Sequence, residues 1–371
     1  MDLRYDVQRK LVISHFSQYP KAQLPDLIKL LYQSELGSGH MISDPSESLQ
    51  RLLAEYSTCK GDGEAHLLYD PIGNGLCRLH LEAGARQGLS PHTLHRFFLS
   101  TAQVSHGSPD SLRHSLACLP ALAKEGLLPF SPADVHRQVE AYIASGCPPL
   151  HHSQVYRAAY RPKYRVVYLL YAAYLPLFLA IDEALSKKDR VVLAIDGDSG
   201  AGKSTLAQHL ASIYDCNLLH MDDFFLPQER KTADRLSVPG GNVDYERFLA
   251  EAEAGLLAGT PFFYQKYDCS LQQLTERISV LSKPLTVIEG VYSLHPALSH
   301  LSDIKVLLQV DPQAQARRIL QRNGPQMQKR FLHEWIPLEK LYFSSFHPEQ
   351  LCDFVFSALP EDWAPTAPSR A

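Results

Sequence analysis

The sequence predicts two domains: an α/β domain, in which helices flank a parallel sheet, and before it a mostly α-helical domain. From Val191 onward, short apolar runs that are typical of buried strands alternate with helical stretches. The residues before about 185 show helical periodicity and no clear strand pattern. A chain of 371 residues is long enough for two such domains, each with its own core.

The composition excludes several classes of protein. Hydrophobic residues make up 45% of the chain, charged residues 20%, and the formal net charge is −4, so neither nucleic acid nor a membrane is an expected partner. The seven cysteines include no Cys-x-x-Cys pair, which favours free thiols over a disulfide framework or a zinc site. The first residues lack the order of charges and apolar residues found in a signal peptide, and we predict a cytoplasmic protein.

The helical domain is predicted to span residues 1–185. Apolar residues recur at helical spacing in two stretches: Leu24, Leu27, Ile28, Leu30 and Leu31 in one, Val135, Val139 and Ile143 in the other. Glycine-containing breaks fall at 61–63, 73–75, 107–109 and 146–149. The uncharged segment from Val166 to Ile181 is shorter than the roughly 20 residues needed to cross a bilayer, so we expect a buried or inter-domain helix there.

Two groups of polar residues in this domain invite a functional interpretation. Residues 35–40 (Glu-Leu-Gly-Ser-Gly-His) could form a tight turn or an anion-binding nest. Residues 151–165 are dense in His, Tyr and Arg and could line a pocket for an anionic or aromatic ligand. A metal site that uses His40, His151 and His152 is an alternative, although adjacent histidines seldom bind one ion. A structural inter-domain surface is the third interpretation, and we favour it.

The first apolar run of the second domain, Val191 to Ile195, leads into a complete P-loop. The pattern G-x-x-x-x-G-K-[ST] occupies Gly197, Asp198, Ser199, Gly200, Ala201, Gly202, Lys203 and Ser204, and Thr205 follows. We predict that this loop binds ATP, that Lys203 reaches the β- and γ-phosphates, and that Ser204 is a ligand of Mg²⁺. The residues from Thr205 to Ala211 are predicted to form the helix whose N-terminus faces the phosphates.

Further strands are predicted at 217–220, 285–288, 304–310 and 354–356, and acidic residues follow two of them. Asp222 and Asp223 come after the second strand and Glu289 after the third. Ligands of parallel sheets bind at the carboxyl ends of the strands. There Asp222 could accept the proton of a substrate hydroxyl group or orient the metal, and Glu289 could hold a metal-bound water. Helix capping or local pairing stays open for both.

In their order, these motifs resemble the uridine kinase and phosphoribulokinase family over about residues 191–357. The resemblance is carried by 222–225 (Asp-Asp-Phe-Phe), 242–248, 264–268, 287–291 and the basic helix after Asp311, followed by 335–346. It implies catalytic roles for Asp222 and Lys203, and a lid that carries Arg318 and Arg322. It also implies that Asp223, Phe225, Tyr267 and Asp268 bind the substrate, and that Ser204, Glu289 and Asp222 hold the metal.

Two features depart from the family pattern. Uridine kinases have a His and an Arg where this chain has Cys269, Ser270 and Leu271, and Gly240 and Gly241 cannot be placed on the family pattern. The identity of the phosphoryl acceptor, the choice between ATP and GTP, and homo-oligomer formation therefore stay open.

The resulting hypothesis is an ATP- and Mg²⁺-dependent kinase in residues 186–357 that phosphorylates a hydroxyl group of a small molecule, a nucleoside or related metabolite. The first alternative is a P-loop ATPase switch whose helical domain signals to a partner. The second is a bifunctional chain whose helical domain has an activity of its own. Residues 358–371, rich in Pro and Ala, are predicted to form a disordered tail.

Overall fold

The protein is described by a computed structural model over residues 3–59, 67–103 and 107–359. The chain divides after Leu175 into an N-terminal unit and a C-terminal unit, the latter Pro176–Ala358. The predicted break at 61–63 lies outside the described residues, as does all but the start of the predicted tail. None of the described helices is long and apolar enough to cross a membrane.

Helices dominate the N-terminal unit. In chain order its elements are α1 Leu3–Gln18, α2 Leu24–Leu36, α3 Pro45–Ser57, β1 Tyr69–Gly73, β2 Leu76–His80, α4 Leu81–Arg86, α5 Pro91–Ala102, α6 Pro109–Leu116, α7 Cys118–Lys124, α8 Pro132–Ala144, α9 Gln154–Tyr160, β3 Tyr164–Tyr168 and α10 Leu169–Ala173. The two periodic stretches found in the sequence form α2 and α8. Their apolar faces share one core, in which Leu27, Leu31, Val135 and Val139 are buried.

A three-stranded antiparallel sheet, in the order β1-β2-β3, interrupts the helices in a region whose residues show no clear strand pattern. The expectation of a helix over 166–181 is therefore wrong at its start, because Val166 and Val167 pair with Arg78 and Cys77 of β2. The Gly73–Gly75 break is the turn that joins β1 to β2. Strands of five residues, one with Asp and Pro inside it, are too short and too polar for periodicity to detect.

The C-terminal unit alternates helices and strands as predicted. Its elements are α11 Leu175–Lys187, β4 Val191–Gly197, α12 Lys203–Ile213, β5 Cys216–His220, α13 Ala233–Ser237, α14 Tyr245–Phe248, α15 Ala254–Ala258, β6 Phe262–Asp268, β7 Gln273–Val280, β8 Leu285–Glu289, β9 Ile304–Gln309, α16 Pro312–Arg330, α17 Ile336–Phe346 and β10 Phe354–Ser357. Helix α11 belongs mainly to this unit, since Tyr214 donates a hydrogen bond to Asp182 at 2.9 Å. The division thus falls earlier than residue 185.

Five parallel strands form the main sheet, in the order β10-β9-β4-β8-β5. All five match predicted apolar runs, and the fold class is confirmed. Glu289 at the end of β8 is in register with Ile195 on one side and with His220 on the other. The carboxyl ends of β4, β5 and β8 therefore meet at one edge of the sheet. The antiparallel hairpin of β6 and β7 was not predicted.

Candidate active site

The P-loop connects β4 to α12 in a conformation that depends on its first glycine. Gly197 has a φ of 139°, and a Cβ atom there would lie 2.0 Å from the carbonyl oxygen of Leu308. The loop ends at Gly202, where α12 begins, so the N-terminus of that helix faces the loop. The buried Lys203 donates from Nζ to the carbonyl oxygens of Gly197 (2.8 Å) and Asp198 (3.0 Å). The ammonium group therefore lies across the loop.

Three side chains that the sequence did not single out hold the P-loop in place. Asp196, fully buried at the end of β4, accepts hydrogen bonds from the backbone N–H groups of Gly197, Tyr292 and Leu294 and from the hydroxyl group of Tyr342. Glu339 on α17 accepts from Ser199, and Gln315 on α16 donates to the Ser199 carbonyl oxygen at 2.9 Å. Burial raises the pKa of both Asp196 and Glu339.

Oxygen atoms from three elements meet beside the loop. Ser204 Oγ, in the first turn of α12, lies 3.1 Å from both carboxylate oxygens of Glu289. His220 Nδ1, at the end of β5, lies 2.6 Å from Glu289 Oε1, and this hydrogen bond raises the pKa of His220. Desolvation inside the cleft and then the charge of Glu289 raise the pKa of Asp222. The side chains of Ser204, Glu289 and Asp222 can coordinate a metal ion only through oxygen atoms, and oxygen is the ligand atom that Mg²⁺ prefers.

One cleft of about 470 Å³, here called the active-site cleft, collects most of the predicted site residues. Those that line it are Ser199, Gly200, Lys203, Ser204, Asp222, Asp223, Phe225, Tyr267, Asp268, Glu289 and Arg322. The volume lies within the range of about 300–1,000 Å³ found for small-molecule sites. Gly197, Asp198, Ala201, Gly202 and Thr205 belong to the same loop and helix start but do not line the cleft.

The residues predicted to bind substrate have different surroundings. Asp223 is buried and accepts a hydrogen bond from Tyr264 at 2.8 Å, whereas Asp222 is exposed to the cleft. Asp268 Oδ1 accepts three hydrogen bonds from Ser270 and Leu271, so this carboxylate shapes the turn between β6 and β7. Phe225 and Tyr267 contribute aromatic rings to the wall.

The two lid arginines lie on α16 before a break in that helix at Gly324, where φ is 76°. Arg318 donates from Nη1 to the Gly200 carbonyl oxygen at 3.1 Å, and thus contacts the P-loop backbone. Arg322, one turn later, lines the active-site cleft and bonds through Nε to its neighbour Asn323 at 2.8 Å. The two side chains share a helix face, as the four-residue spacing predicts, but only Arg322 lines the cleft.

Gly240 and Gly241 lie in the loop that follows α13. A Cβ atom on Gly241 would lie 1.9 Å from the carbonyl oxygen of Arg235, and one on Gly240 would lie 2.5 Å from the ring of His295. Arg235 in turn forms a bidentate ion pair with Glu246. Both glycines are therefore explained by close backbone packing next to the cleft.

Two polar residues of the N-terminal unit that the sequence suggested as site residues, Glu35 and His152, have structural partners. Glu35 is buried and accepts hydrogen bonds from Gln8 (2.6 Å) and Ser115 (2.7 Å). Both ring nitrogens of His152 are used, Nδ1 by Asp26 at 2.9 Å and Nε2 by Tyr164 at 2.6 Å. In the described part of the chain, no cluster of three or more His, Cys, Asp or Glu side chains is arranged to hold a metal ion.

Part of the chain is similar in sequence to a known kinase. A segment of 136 residues is 29% identical to uridine-cytidine kinase C from Dictyostelium discoideum and takes in 35% of this chain. It spans 30% of the length of that curated relative. No family model matches the chain. The resemblance to the uridine kinase and phosphoribulokinase family is confirmed for this one domain.

Solved structures align with about half of the chain. A possible uridine kinase from Bacillus stearothermophilus is 22% identical, with 49% of this chain and 99% of that chain covered and a TM-score of 0.37. YFH7 from Saccharomyces cerevisiae is 12% identical, with 49% and 98% covered and a TM-score of 0.36.

Proposed function

We propose that the C-terminal unit is an ATP-dependent kinase that transfers the γ-phosphoryl group to a hydroxyl group of a small molecule, a nucleoside or a related metabolite. The observation that carries the proposal is the presence of Lys203, Ser204, Asp222 and Glu289 in one cleft. A P-loop alone would serve a hydrolase or a switch equally well. A carboxylate exposed to the same cleft supports transfer to an acceptor, because the acceptor hydroxyl group must lose its proton.

ATP is expected to bind with its phosphates in the P-loop. The backbone N–H groups at the start of α12 and the dipole of that helix attract phosphate oxygens. Lys203 Nζ now donates to two loop carbonyl oxygens, and it can exchange these acceptors for the β- and γ-phosphate oxygens. An ammonium group that is already buried beside the phosphates needs little reorganisation to offset their charge.

Ser204, Glu289 and Asp222 would hold Mg²⁺, since their oxygen atoms form a hard donor set beside the phosphate loop. Bound there, the ion would offset the negative charge of the triphosphate. His220 keeps the Glu289 carboxylate oriented through its 2.6 Å hydrogen bond.

In the transfer step, the acceptor oxygen forms a bond to the γ-phosphorus while the bond from that phosphorus to the bridging oxygen of ADP breaks. Asp222 accepts the proton of the acceptor hydroxyl group, a role for which its exposure to the cleft beside the P-loop places it. Lys203, Arg318 and Arg322 offset charge on the transferring group. Most of the rate enhancement then comes from positioning and electrostatics.

Two observations support a nucleoside-like acceptor: the residues of the cleft wall and the name of the sequence relative. Phe225 and Tyr267 offer aromatic faces on which a nucleobase could pack, and the relative is named for uridine and cytidine. The turn that follows Tyr267 and Asp268 lacks the His and Arg of uridine kinases. We therefore propose a nucleoside-like acceptor and leave its base unassigned.

The test is ADP production by the full-length protein with Mg-ATP across a panel of nucleosides and small hydroxylated metabolites. Lys203→Ala and Asp222→Ala variants run in parallel, with Asp215→Ala as a matched control because Asp215 is exposed and does not line the cleft. We expect one acceptor class to stimulate ADP release strongly. Both cleft variants should abolish the stimulation, and the control should retain it.

The switch hypothesis predicts a different result from the same experiment. A slow rate that no acceptor stimulates, lost with Lys203→Ala but retained with Asp222→Ala, would exclude the kinase. It would favour an ATPase that couples nucleotide binding to a partner.

A further inference from the structure

A second cleft lies within the N-terminal unit, among the end of α1, the strands β1 and β2, and the segment after α9. Its volume is about 730 Å³, also within the usual range for small-molecule sites. The rings of Tyr19, Tyr156, Tyr160 and Tyr164 form much of its wall. It shares no lining residue with the active-site cleft. We call it the N-terminal cleft.

Arg78 lines this cleft although only 1% of it is exposed to solvent. Its Nε donates to Gln33 Oε1 at 2.9 Å, and its Nη1 lies 3.3 Å from His15 Nε2. Its Nη2 has no hydrogen-bond partner among the described residues. A guanidinium group carries five N–H donors and keeps its charge at all physiological pH values. Arg78 is therefore a buried cation with donors to spare.

No carboxylate in the described part of the chain forms an ion pair with Arg78. Asp70, its register partner on β1, instead accepts from Tyr19 OH (2.5 Å) and Gln18 Nε2 (2.7 Å) and pairs with His80 Nε2 (2.8 Å). Burial opposes ionisation of Asp70, but these hydrogen bonds outweigh it and lower its pKa to about 2. The carboxylate of Asp70 is thus held by its own donors. A buried charge without an opposite partner is costly, and an anionic ligand would remove that cost.

A buried chain of hydrogen bonds, from Asp26 through His152 to Tyr164, supports the guanidinium group. Its Cζ lies 5.0 Å from the centre of the Tyr164 ring, within the range of a cation–π contact. Burial lowers the pKa of His152 to about 4, so its imidazole is neutral at pH 7. With Asp26 ionised, the neutral imidazole donates from Nδ1–H to that carboxylate, and its Nε2 lies 2.6 Å from the Tyr164 hydroxyl group, which also lies 3.3 Å from Gln33 Oε1. This fixed chain positions the ring that packs on Arg78.

A second arginine lies at the rim. Arg161 ends α9 in a left-handed conformation with φ of 43°, lines the N-terminal cleft and is exposed. Lys163, the other cation nearby, is paired with Glu82 at 3.2 Å. Within the described residues, Arg78 and Arg161 are therefore the lining cations that lack a carboxylate partner.

We propose that the N-terminal cleft binds a small organic anion whose carboxylate or phosphate group accepts hydrogen bonds from Arg78 and whose flat body packs against the tyrosine rings. Both groups match the planar guanidinium fork, and both are bound preferentially by arginine. Arg161 adds a second positive charge from the rim. This site is separate from the proposed kinase site and does not depend on it.

The test is isothermal titration calorimetry on the full-length protein with benzoate and phenyl phosphate as probes. A saturating non-hydrolysable ATP analogue with Mg²⁺ keeps the probes out of the P-loop. Arg78→Gln and Arg161→Gln should each raise the Kd by about tenfold or more, since each removes a charge-assisted contact. Arg137→Gln is the matched control, because Arg137 is exposed on α8 and does not line the cleft. The tighter of the two probes identifies the anionic group.

Hydrogen exchange of the unaltered protein provides a second readout that needs no variant to fold. A bound probe should protect the backbone of residues 76–80 and 160–165. Absence of binding by either probe up to about 10 mM would overturn the proposal. So would binding that Arg161→Gln leaves unchanged and that protects neither segment.

Discussion

Glu339 accepts two hydrogen bonds from Ser199, one from the backbone nitrogen at 3.1 Å and one from the hydroxyl group at 2.5 Å. Ser199 belongs to the P-loop, and Glu339 lies 140 residues later on α17. The glutamate is only 4% exposed, so water does not compete for its oxygens. The conformation of the phosphate-binding loop thus depends on a carboxylate from the far end of the unit.

Glu339→Gln should destabilise the C-terminal unit. Ser199 donates to both carboxylate oxygens of Glu339, and glutamine replaces one of them with an amide nitrogen that donates, so one of the two Ser199 donors loses its acceptor. We expect a loss of about 1–3 kcal/mol in the free energy of unfolding. Urea unfolding followed by circular dichroism measures it. Glu334→Gln is the control, because Glu334 forms an exposed pair with Arg330, and it should change stability by less than about 0.5 kcal/mol. Equal losses in the two variants would contradict the role of Glu339.

The features of the C-terminal unit that could be predicted are those that a short stretch of the sequence determines by itself. A strand buried on both faces must be a continuous apolar run, and β4 and β8 have that form. The P-loop is a short pattern imposed by backbone geometry. Because carboxyl ends of parallel strands meet, Asp222 and Glu289 could be placed in one cleft from their positions after two strands.

The remaining parts depend on contacts between distant residues. The residues next to Glu339 in the sequence do not indicate that its side chain contacts Ser199. Asp196 cannot be distinguished by sequence from other acidic residues at the ends of strands. Asp268 matched the family substrate segment, yet its Oδ1 forms the β6–β7 turn. Arg78 was not singled out at all, because a buried arginine on a short strand leaves no periodic signal; only its pairing between β1 and β3 identifies it.

The adjacent residues Asp222 and Asp223 should respond differently to the same substitution. Asp222→Asn removes the proposed base and should lower kcat by about 10²-fold or more without a change in stability. Asp223→Asn should keep kcat within about tenfold and cost about 1 kcal/mol of stability, because it weakens the buried hydrogen bond from Tyr264. Steady-state kinetics with the acceptor found in the panel, together with thermal unfolding, measures both. A larger loss of kcat in Asp223→Asn would reverse the assignment.

Arg322→Met should lower kcat more than it raises KM for ATP. The guanidinium group lines the active-site cleft and is proposed to act on charge that develops during transfer, so its loss affects the transition state more than the bound substrate. We expect a reduction in kcat of about tenfold or more. Arg317→Met is the matched control on the same helix, since Arg317 is exposed and does not line the cleft. If Arg322→Met keeps wild-type kcat, Arg322 does not act on the transferring phosphoryl group.

The buried imidazole of His152 should make the stability of the N-terminal unit depend on pH. Its pKa is about 4 in the folded protein because burial disfavours the charged form, whereas the ordinary value is 6.5. Between these values the unfolded chain binds a proton that the folded chain does not, so stability falls as the pH falls from 6.5 to 4. The difference corresponds to about 3 kcal/mol. Asp26, with its pKa of about 2, contributes only at lower pH.

The measurement is urea unfolding of the full-length protein between pH 4 and 7, compared between the wild type and two neighbouring variants. His152→Asn has no titrating group at this position, so its stability should fall with acid by about 3 kcal/mol less than that of the wild type. His151→Asn removes an exposed neighbour and should keep the wild-type slope. Burial also lowers the pKa of His15, and that contribution is common to all three proteins and cancels in the comparison. Parallel pH profiles for the wild type and His152→Asn would mean that folding leaves the pKa of His152 unchanged, which would contradict the prediction.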